Sequence, residues 1–162
     1  MIFEWHFRVV FGIYLSLLVH NKTFLYFSYN QMYQSRRSLW NEKIIDKKYI
    51  ALVRGYFPES CRCEEPLKTD RGNAQEAITE FKLLKTFESP LPFGKYPASR
   101  YSLVEASPLT GRTHQIRRHL AHLRHYLIGD TAHGETRLNK FFKDAYGLPQ
   151  MFLHAKEINF VK

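Results

Sequence analysis

The stretch Thr110–His125, which reads Thr-Gly-Arg-Thr-His-Gln-Ile-Arg-Arg-His-Leu-Ala-His-Leu-Arg-His, decides how the rest of the chain is arranged. It contains four arginines and four histidines and no carboxylate. An ordinary solvated surface mixes both signs of charge, so such a stretch indicates contact with something anionic.

The same stretch predicts a turn followed by an amphipathic helix. Pro108 and Gly111 bracket the turn, and Thr113 has the side chain expected at a helix N-cap. The apolar residues that recur at helical spacing are Ile116, Leu120 and Leu123. Arg117 and Arg124 would flank this apolar stripe, so we expect both arginines to be held at the edge of a cleft.

Length and charge narrow the class of protein. A chain of 162 residues is long enough for one domain with a real core. Its net charge of +9 favours an anionic macromolecule, most simply a nucleic acid, as the partner. Cys61 and Cys63 form no disulfide framework and no zinc cage, which indicates a reducing, cytoplasmic compartment.

The composition changes near residue 35. Residues 1–34 are crowded with aromatic and apolar side chains, but the apolar run is too short to span a bilayer and lacks a signal-peptide cleavage site. We interpret them either as a core segment or as a leader that is foreign to the fold, and residues 35–162 as the globular part. No membrane association is expected.

Residues 35–162 predict a mixed α+β fold with a predominantly antiparallel sheet and flanking helices. In the first strand Tyr49, Ala51 and Val53 face one way. The predicted loop is Pro58–Asn73. The predicted strands and helix are a short helix at Ser35–Lys47, strands at Lys48–Gly55, Ala77–Phe87, Arg100–Ala106 and Tyr126–Asp130, and closing apolar segments at Met151–Ala155 and Ile158–Val161.

Three motifs in order resemble the RNA pseudouridine synthases that modify ribosomal and transfer RNA. They are the basic stretch with Ile128-Gly-Asp130, the strand that carries Tyr49, and Leu153-His154-Ala155. The resemblance covers residues 35–162 and implies the C-terminal part of that family's catalytic fold. It implies that Tyr49, Arg117 and Leu153 are catalytic, that the substrate is RNA, most simply tRNA, and that a monomer works without cofactor or metal.

One part of the family pattern is missing. In the family, an aspartate in an Arg-Leu-Asp motif attacks the nucleotide and pairs with the arginine matching Arg117. The aspartates here are Asp46, Asp70, Asp130 and Asp144, and none follows Arg-Leu. We therefore expect a fragment that is inactive as given, with Arg117 unpaired. Asp46 is the first substitute to consider, since it lies just ahead of Tyr49.

The basic side chains suggest two alternatives to catalysis. The residues expected to contact RNA are Lys48, Arg54, Arg112, His114, Gln115, Arg118, His122 and Arg124. These could belong to a module that binds structured RNA without chemistry, or to an unstable remnant of an enzyme. The spacing of His119, His122 and His125 is compatible with metal ligands, but the arginines around them would repel a cation, so no metal is expected.

Overall fold

A five-stranded antiparallel sheet organises the protein in the computed structural model, which describes residues 45–148 and 150–160. The strands are β1 (Ile45–Arg54), β2 (Ser60–Cys63), β3 (Leu67–Lys68), β4 (Ala74–Gln75), β5 (Thr79–Ser89), β6 (Ser99–Pro108) and β7 (Leu153–Phe160). The main sheet has the order β2-β5-β6-β1-β7, and β3 and β4 form a separate hairpin. Every strand pair in these ranges is antiparallel, which confirms the predicted fold class.

Strand β1 is covered on both faces. Ile50, Ala51, Leu52 and Val53 are all buried, so consecutive side chains pack into opposite layers. Tyr49 lies opposite Ala106 of β6 and Ala155 of β7. The sheet therefore presents two sides, each with its own set of residues from the same strands.

Helix α1 (Gln115–His122) covers one side of the sheet. We call this the α1 side. The buried cluster there is formed by Ala51, Val53, Phe57, Cys63, Phe81, Val104, Ala106, Ile116, Leu120 and Leu127. Leu123, which follows the helix, is half-buried against the same cluster. The predicted apolar stripe of the helix is thus confirmed.

Helix α2 (Thr136–Tyr146) belongs to the other side, which we call the α2 side. Its buried residues Leu138, Phe142 and Tyr146 recur every four positions along one face. The Phe142 ring meets Tyr101 of β6 edge-on, with ring centroids 5.0 Å apart. Tyr101 of β6 pairs with Arg54 of β1, and both side chains project to the face opposite that of Val53 and Val104. Helices α1 and α2 therefore lie over opposite faces of the sheet.

Several predicted elements differ from the observed ones. Ile45–Lys47 extends β1 instead of ending a helix, and the rest of that predicted helix, like residues 1–34, lies outside the described residues. The predicted loop at residues 58–73 contains β2 and β3, because Cys63 and Leu67 are buried and draw the chain into pairing. The predicted strand at Tyr126–Asp130 is a single bridge between Leu127 and Val53.

Two further differences concern the second half of the chain. Helix α2 was not predicted, although its apolar spacing is regular. Residues 153–155 and 158–160 of the two predicted closing segments belong to one continuous strand, β7. Across residues 45–148 and 150–160, the structure has no helix with the length and apolar character needed to cross a membrane.

Candidate active site

A network of hydrogen bonds, rather than a threonine cap, fixes the turn before α1. The N-cap is His114, in the left-handed conformation (φ 54°) and without a side-chain cap, so the predicted role of Thr113 was wrong. The buried Gln115 side chain accepts hydrogen bonds from the Thr110 hydroxyl at 2.7 Å and the Arg112 amide at 3.0 Å. Its amide nitrogen donates to the Ile78 carbonyl at 2.9 Å, which ties the turn to β5.

The most strongly connected charged group on α1 is Arg117. Its Nε donates to Oδ2 of Asp130 at 2.8 Å, and its Nη2 donates to Oδ1 at 2.6 Å. The Asp130 side chain is fully buried and that of Arg117 is 15% exposed. This bidentate pair fixes the plane of the guanidinium as well as its position. The expectation of an unpaired Arg117 was therefore wrong.

The loop after α1 holds Asp130 in its ionised form. Burial by itself raises the pKa of Asp130, but hydrogen bonds from Arg117 and from the backbone amides of His133 and Ala132 outweigh it and lower the pKa to about 2. Asn139 of α2 secures the same loop, donating to the Asp130 carbonyl at 2.7 Å and accepting from the Gly129 amide at 2.8 Å. Helix α2 thus positions Asp130, and Asp130 positions Arg117.

Close backbone packing explains the glycine before Asp130. Gly129 has φ +78°, and a β-carbon built there would lie 1.9 Å from the Gln150 carbonyl oxygen. Only glycine fits that contact without moving backbone. The Ile-Gly-Asp sequence therefore allows the chain to turn tightly and to bury the carboxylate beneath α1.

Tyr49 and Leu153 share the α1 side of the sheet with Arg117. Both are partly buried against the apolar cluster of that side. Tyr49 stands on β1 two positions before Ala51, which pairs with Leu153 of β7. Burial raises the pKa of the Tyr49 phenol, so it remains neutral at physiological pH. The three residues predicted as catalytic are thus brought to one face of the sheet.

Comparison with known proteins identifies the family to which this chain belongs. A family model described as RNA pseudouridylate synthase matches residues 25–122. The chain belongs to this family.

Similar proteins include tRNA pseudouridine synthase C from Vibrio vulnificus (strain CMCP6), 41% identical over 128 residues, which are 72% of this chain and 52% of that protein. The protein of the same name from Vibrio parahaemolyticus (serotype O3:K6, strain RIMD 2210633) is 40% identical over 134 residues, or 76% and 54% of the two chains. The solved structure of Human RNA Pseudouridylate Synthase Domain Containing 1 superposes with a TM-score of 0.60 at 25% identity, covering 77% and 53%. The chain spans about half the length of these relatives.

In this pseudouridylate synthase chain, several predicted RNA-binding residues form one row along α1, in which Arg118 is half-buried and the other members are exposed. His114, Arg118 and His122 are spaced four apart, and Arg112 lies exposed in the preceding turn. Arg118 is anchored by a hydrogen bond from Nη1 to the Lys68 carbonyl at 3.0 Å. His114 meets His133 with ring nitrogens 3.1 Å apart. This row extends from the turn past Arg117 to the end of the helix.

Other predicted RNA-binding residues lie apart from that row. Arg54 is on the α2 side, with Nη1 2.5 Å from Oε2 of Glu135. Lys48 alternates to the same side and pairs with Glu157 at 3.5 Å. Gln115 is buried in the turn. Arg124 lies beyond the end of α1 in the left-handed conformation (φ 60°), so its predicted place on the helix flank was wrong.

Two residues near the site were not predicted as functional. Lys47 is two positions before Tyr49 on β1, so its side chain projects to the same face. It is 8% exposed, and its Nζ lies beside Gly111 of the turn. Burial lowers the pKa of Lys47. His133 supports Asp130 through its amide, and burial lowers the pKa of its ring. Strand parity could have pointed to Lys47, but the loop geometry around His133 has no sequence signal.

None of the four aspartates is positioned as a free nucleophile beside Tyr49. Asp46 is three residues before Tyr49 on the same strand, so its side chain projects to the opposite face. Asp130 is buried with both carboxylate oxygens bonded. Asp144 pairs with Lys140 on α2, and Asp70 is exposed in the loop between β3 and β4.

Proposed function

We propose that this chain is the RNA-gripping and uridine-positioning part of a tRNA pseudouridine synthase. The observation that carries the proposal is the bidentate Arg117–Asp130 pair, which fixes a cation on the face of the sheet that also bears Tyr49 and Leu153. Membership of the RNA pseudouridylate synthase family and the names of the relatives support tRNA as the substrate. A cytoplasmic location follows from that substrate.

The proposed chemistry assigns each residue a separate task. A uridine must leave its stack before it can react, and an aromatic ring such as Tyr49 stabilises the extruded base. Leu153 supplies an apolar wall beside it. In the reaction an aspartate attacks the nucleotide, the uracil detaches, turns and rejoins through carbon. Phosphates around the extruded nucleotide are neutralised by Arg112 and Arg118 of the row along α1.

Arg117 is suited to hold a second carboxylate. Among the described residues its Nη1 has no hydrogen-bond partner, while Nε and Nη2 are used by Asp130. Because Asp130 already neutralises the formal charge, Arg117 would act on a nucleophile mainly by directing a hydrogen bond rather than by net attraction. We propose that the nucleophile belongs to an Arg-Leu-Asp segment that this sequence does not contain.

A non-catalytic RNA-binding module is the second candidate. It is favoured by the placement of the aspartates, since Asp130 is fully committed to Arg117 and Asp46 faces away from Tyr49. On this view the chain alone binds structured RNA and forms no product.

Binding of unmodified tRNA tests the part that both candidates share. The logarithm of the affinity should fall linearly with the logarithm of salt concentration, because each phosphate contact releases counterions. Arg118→Ala should weaken binding and lower the magnitude of that slope by about 1. Arg137→Ala, an equal change of charge on exposed α2, is the matched control and should have little effect. Salt-independent binding would contradict the proposal.

A chemical assay for pseudouridine separates the two candidates. The chain alone should form no product, whereas a chain extended with the Arg-Leu-Asp segment of a relative should form it. In the extended chain, Arg117→Ala should reduce turnover more than tRNA affinity. Product from the chain alone would show that its nucleophile is already present, and lack of product from the extended chain would favour the binding module.

A further inference from the structure

A second recess lies on the α2 side of the sheet, away from the Arg117 site. Its volume is about 320 Å³. It is formed where β1 ends, where β6 begins and by the turn at residues 93–98, with Leu138 of α2 at its edge. The side chains used below are Arg54, Tyr56, Phe93, Tyr96, Arg100 and Tyr101. None of them belongs to the proposed uridine site.

The recess displays aromatic rings where solvent reaches them. Tyr56 is 48% exposed and Tyr96 is 51% exposed. Three of the four rings of the recess have a cation near their faces: Arg100 lies 5.1 Å from the Tyr56 centroid, Lys95 lies 5.5 Å from Tyr96, and Arg54 lies 5.6 Å from Phe93. Exposed rings interleaved with cations are the combination that binds unpaired nucleotides, through stacking and phosphate contact.

The inner wall of the recess is closed by a buried ring. Tyr101 is fully buried, and its hydroxyl oxygen exposes less than 1 Å² of surface, so a ligand in the recess does not reach the hydroxyl. Burial raises the pKa of Tyr101 and the Ser99 hydroxyl lowers it by less, so the phenol stays neutral. Stacking is therefore left to the exposed rings at the mouth of the recess.

Of the two arginines that line the recess, Arg100 is held less tightly than Arg54 by carboxylates of the described residues. Arg54 is held by Glu135. Arg100 approaches Glu88 only to 3.7 Å through Nε, too far for a hydrogen bond, and Glu88 instead accepts from the Tyr56 hydroxyl at 2.9 Å. Arg100 is exposed at the mouth of the recess, as is Lys95. The mouth is therefore positively charged, whereas the wall is aromatic.

We propose that this recess binds one nucleotide, with its base against Tyr56 and Tyr96 and its phosphate toward Arg100. The volume is at the lower end for ligand pockets and suits one nucleotide better than several. The same chemistry can be supplied by a free mononucleotide or by an unpaired position of an RNA strand. The site lies outside the proposed uridine site, so it is an additional contact rather than part of catalysis.

Titration of the full chain with two probes tests this site. The probes are uridine 5′-monophosphate, followed by calorimetry, and a fluorescein-labelled heptamer of uridylates, followed by anisotropy. Tyr96→Ala should weaken binding of the occupying probe roughly tenfold, the size of effect expected for a lost base-stacking contact. Tyr96→Phe keeps the ring and should stay close to the unmodified chain.

The outcomes separate the sources and the alternatives. Tyr96-dependent binding of both probes indicates a mononucleotide pocket, and Tyr96-dependent binding of the heptamer alone indicates a contact for an RNA strand. The proposal is overturned if neither probe saturates, or if Tyr56→Ala and Tyr96→Ala leave the affinity unchanged. Arg118→Ala should leave the affinity for uridine 5′-monophosphate unchanged. If tRNA fails to bind while the probes bind through Tyr96, only the proposed function fails.

Discussion

Two arginine–carboxylate pairs lie on opposite sides of the same sheet, and they differ in almost every respect that determines strength. Arg117 and Asp130 make two short hydrogen bonds, with side chains 15% and 0% exposed. Arg54 and Glu135 make one at 2.5 Å, with side chains 35% and 26% exposed. Burial and bidentate geometry, rather than a short contact, should decide which pair matters for the fold.

The two carboxylates are only five residues apart. Asp130 lies in the loop after α1, and Glu135 is the N-cap residue of α2. The segment between them therefore connects to an arginine on each side of the sheet. Asn139 fixes the Asp130 end of the segment through two hydrogen bonds to the backbone. A substitution in this segment that breaks the contact with Arg117 therefore acts on the α1 side, and one that breaks the contact with Arg54 acts on the α2 side.

Breaking the buried pair should produce the largest effect. Asp130→Asn removes the charge partner of a guanidinium that is mostly buried, and we expect it to lower the free energy of unfolding by about 3–5 kcal/mol. Urea unfolding followed by circular dichroism measures the loss. Because Arg117 would lose its orientation, the extended chain with a nucleophile should also lose turnover. A loss below about 1 kcal/mol would mean that water replaces Asp130 at no cost.

Low pH should remove the stabilisation by the same pair in the unmodified chain. The pKa of Asp130 is lowered from 3.8 to about 2, so its contribution to stability is present above pH 3.8 and is lost as pH falls toward about 2. The shift corresponds to about 2 kcal/mol. Between about pH 5 and pH 2, the unmodified chain should therefore lose about that much more stability than Asp130→Asn. If the free energies of unfolding of the two proteins fell in parallel with pH, the stabilisation assigned to ionised Asp130 would be contradicted.

Much of this fold was predictable because its periodicities are regular. The stripe of Ile116 and Leu120 predicted α1, and alternation along β1 and β5 predicted two strands of the main sheet. Helix α2 was missed although Leu138, Phe142 and Tyr146 are spaced four apart, because the glycine at 134 and the polar residues around it favoured a loop. Short paired segments such as β2 depend on contacts with β5 that local sequence does not specify.

The candidate site was predictable in composition but not in pairing. The partner of Arg117 is set by a tight loop built on Gly129 and Asn139, so the Asp130 pairing follows from tertiary geometry alone. Strand parity, in contrast, was available from the sequence. Lys48 and Arg54 differ in parity from Tyr49, which indicates that they cannot share its face of β1. Because the prediction did not apply this parity, its set of RNA-binding residues included side chains from both faces of the sheet.

Breaking the exposed pair should produce the smallest effect. Glu135→Gln keeps the size and hydrogen-bonding capacity of the side chain and removes only its charge, and we expect a change of less than about 1 kcal/mol in the free energy of unfolding. Because the mouth of the α2-side recess would become more positive, affinity for the uridylate heptamer should rise slightly at low salt. Urea unfolding and anisotropy measure the two effects. A loss above about 2 kcal/mol would show that Arg54 is held as firmly as Arg117, and the contrast between the two sides of the sheet would then rest on the α1-side apolar cluster alone.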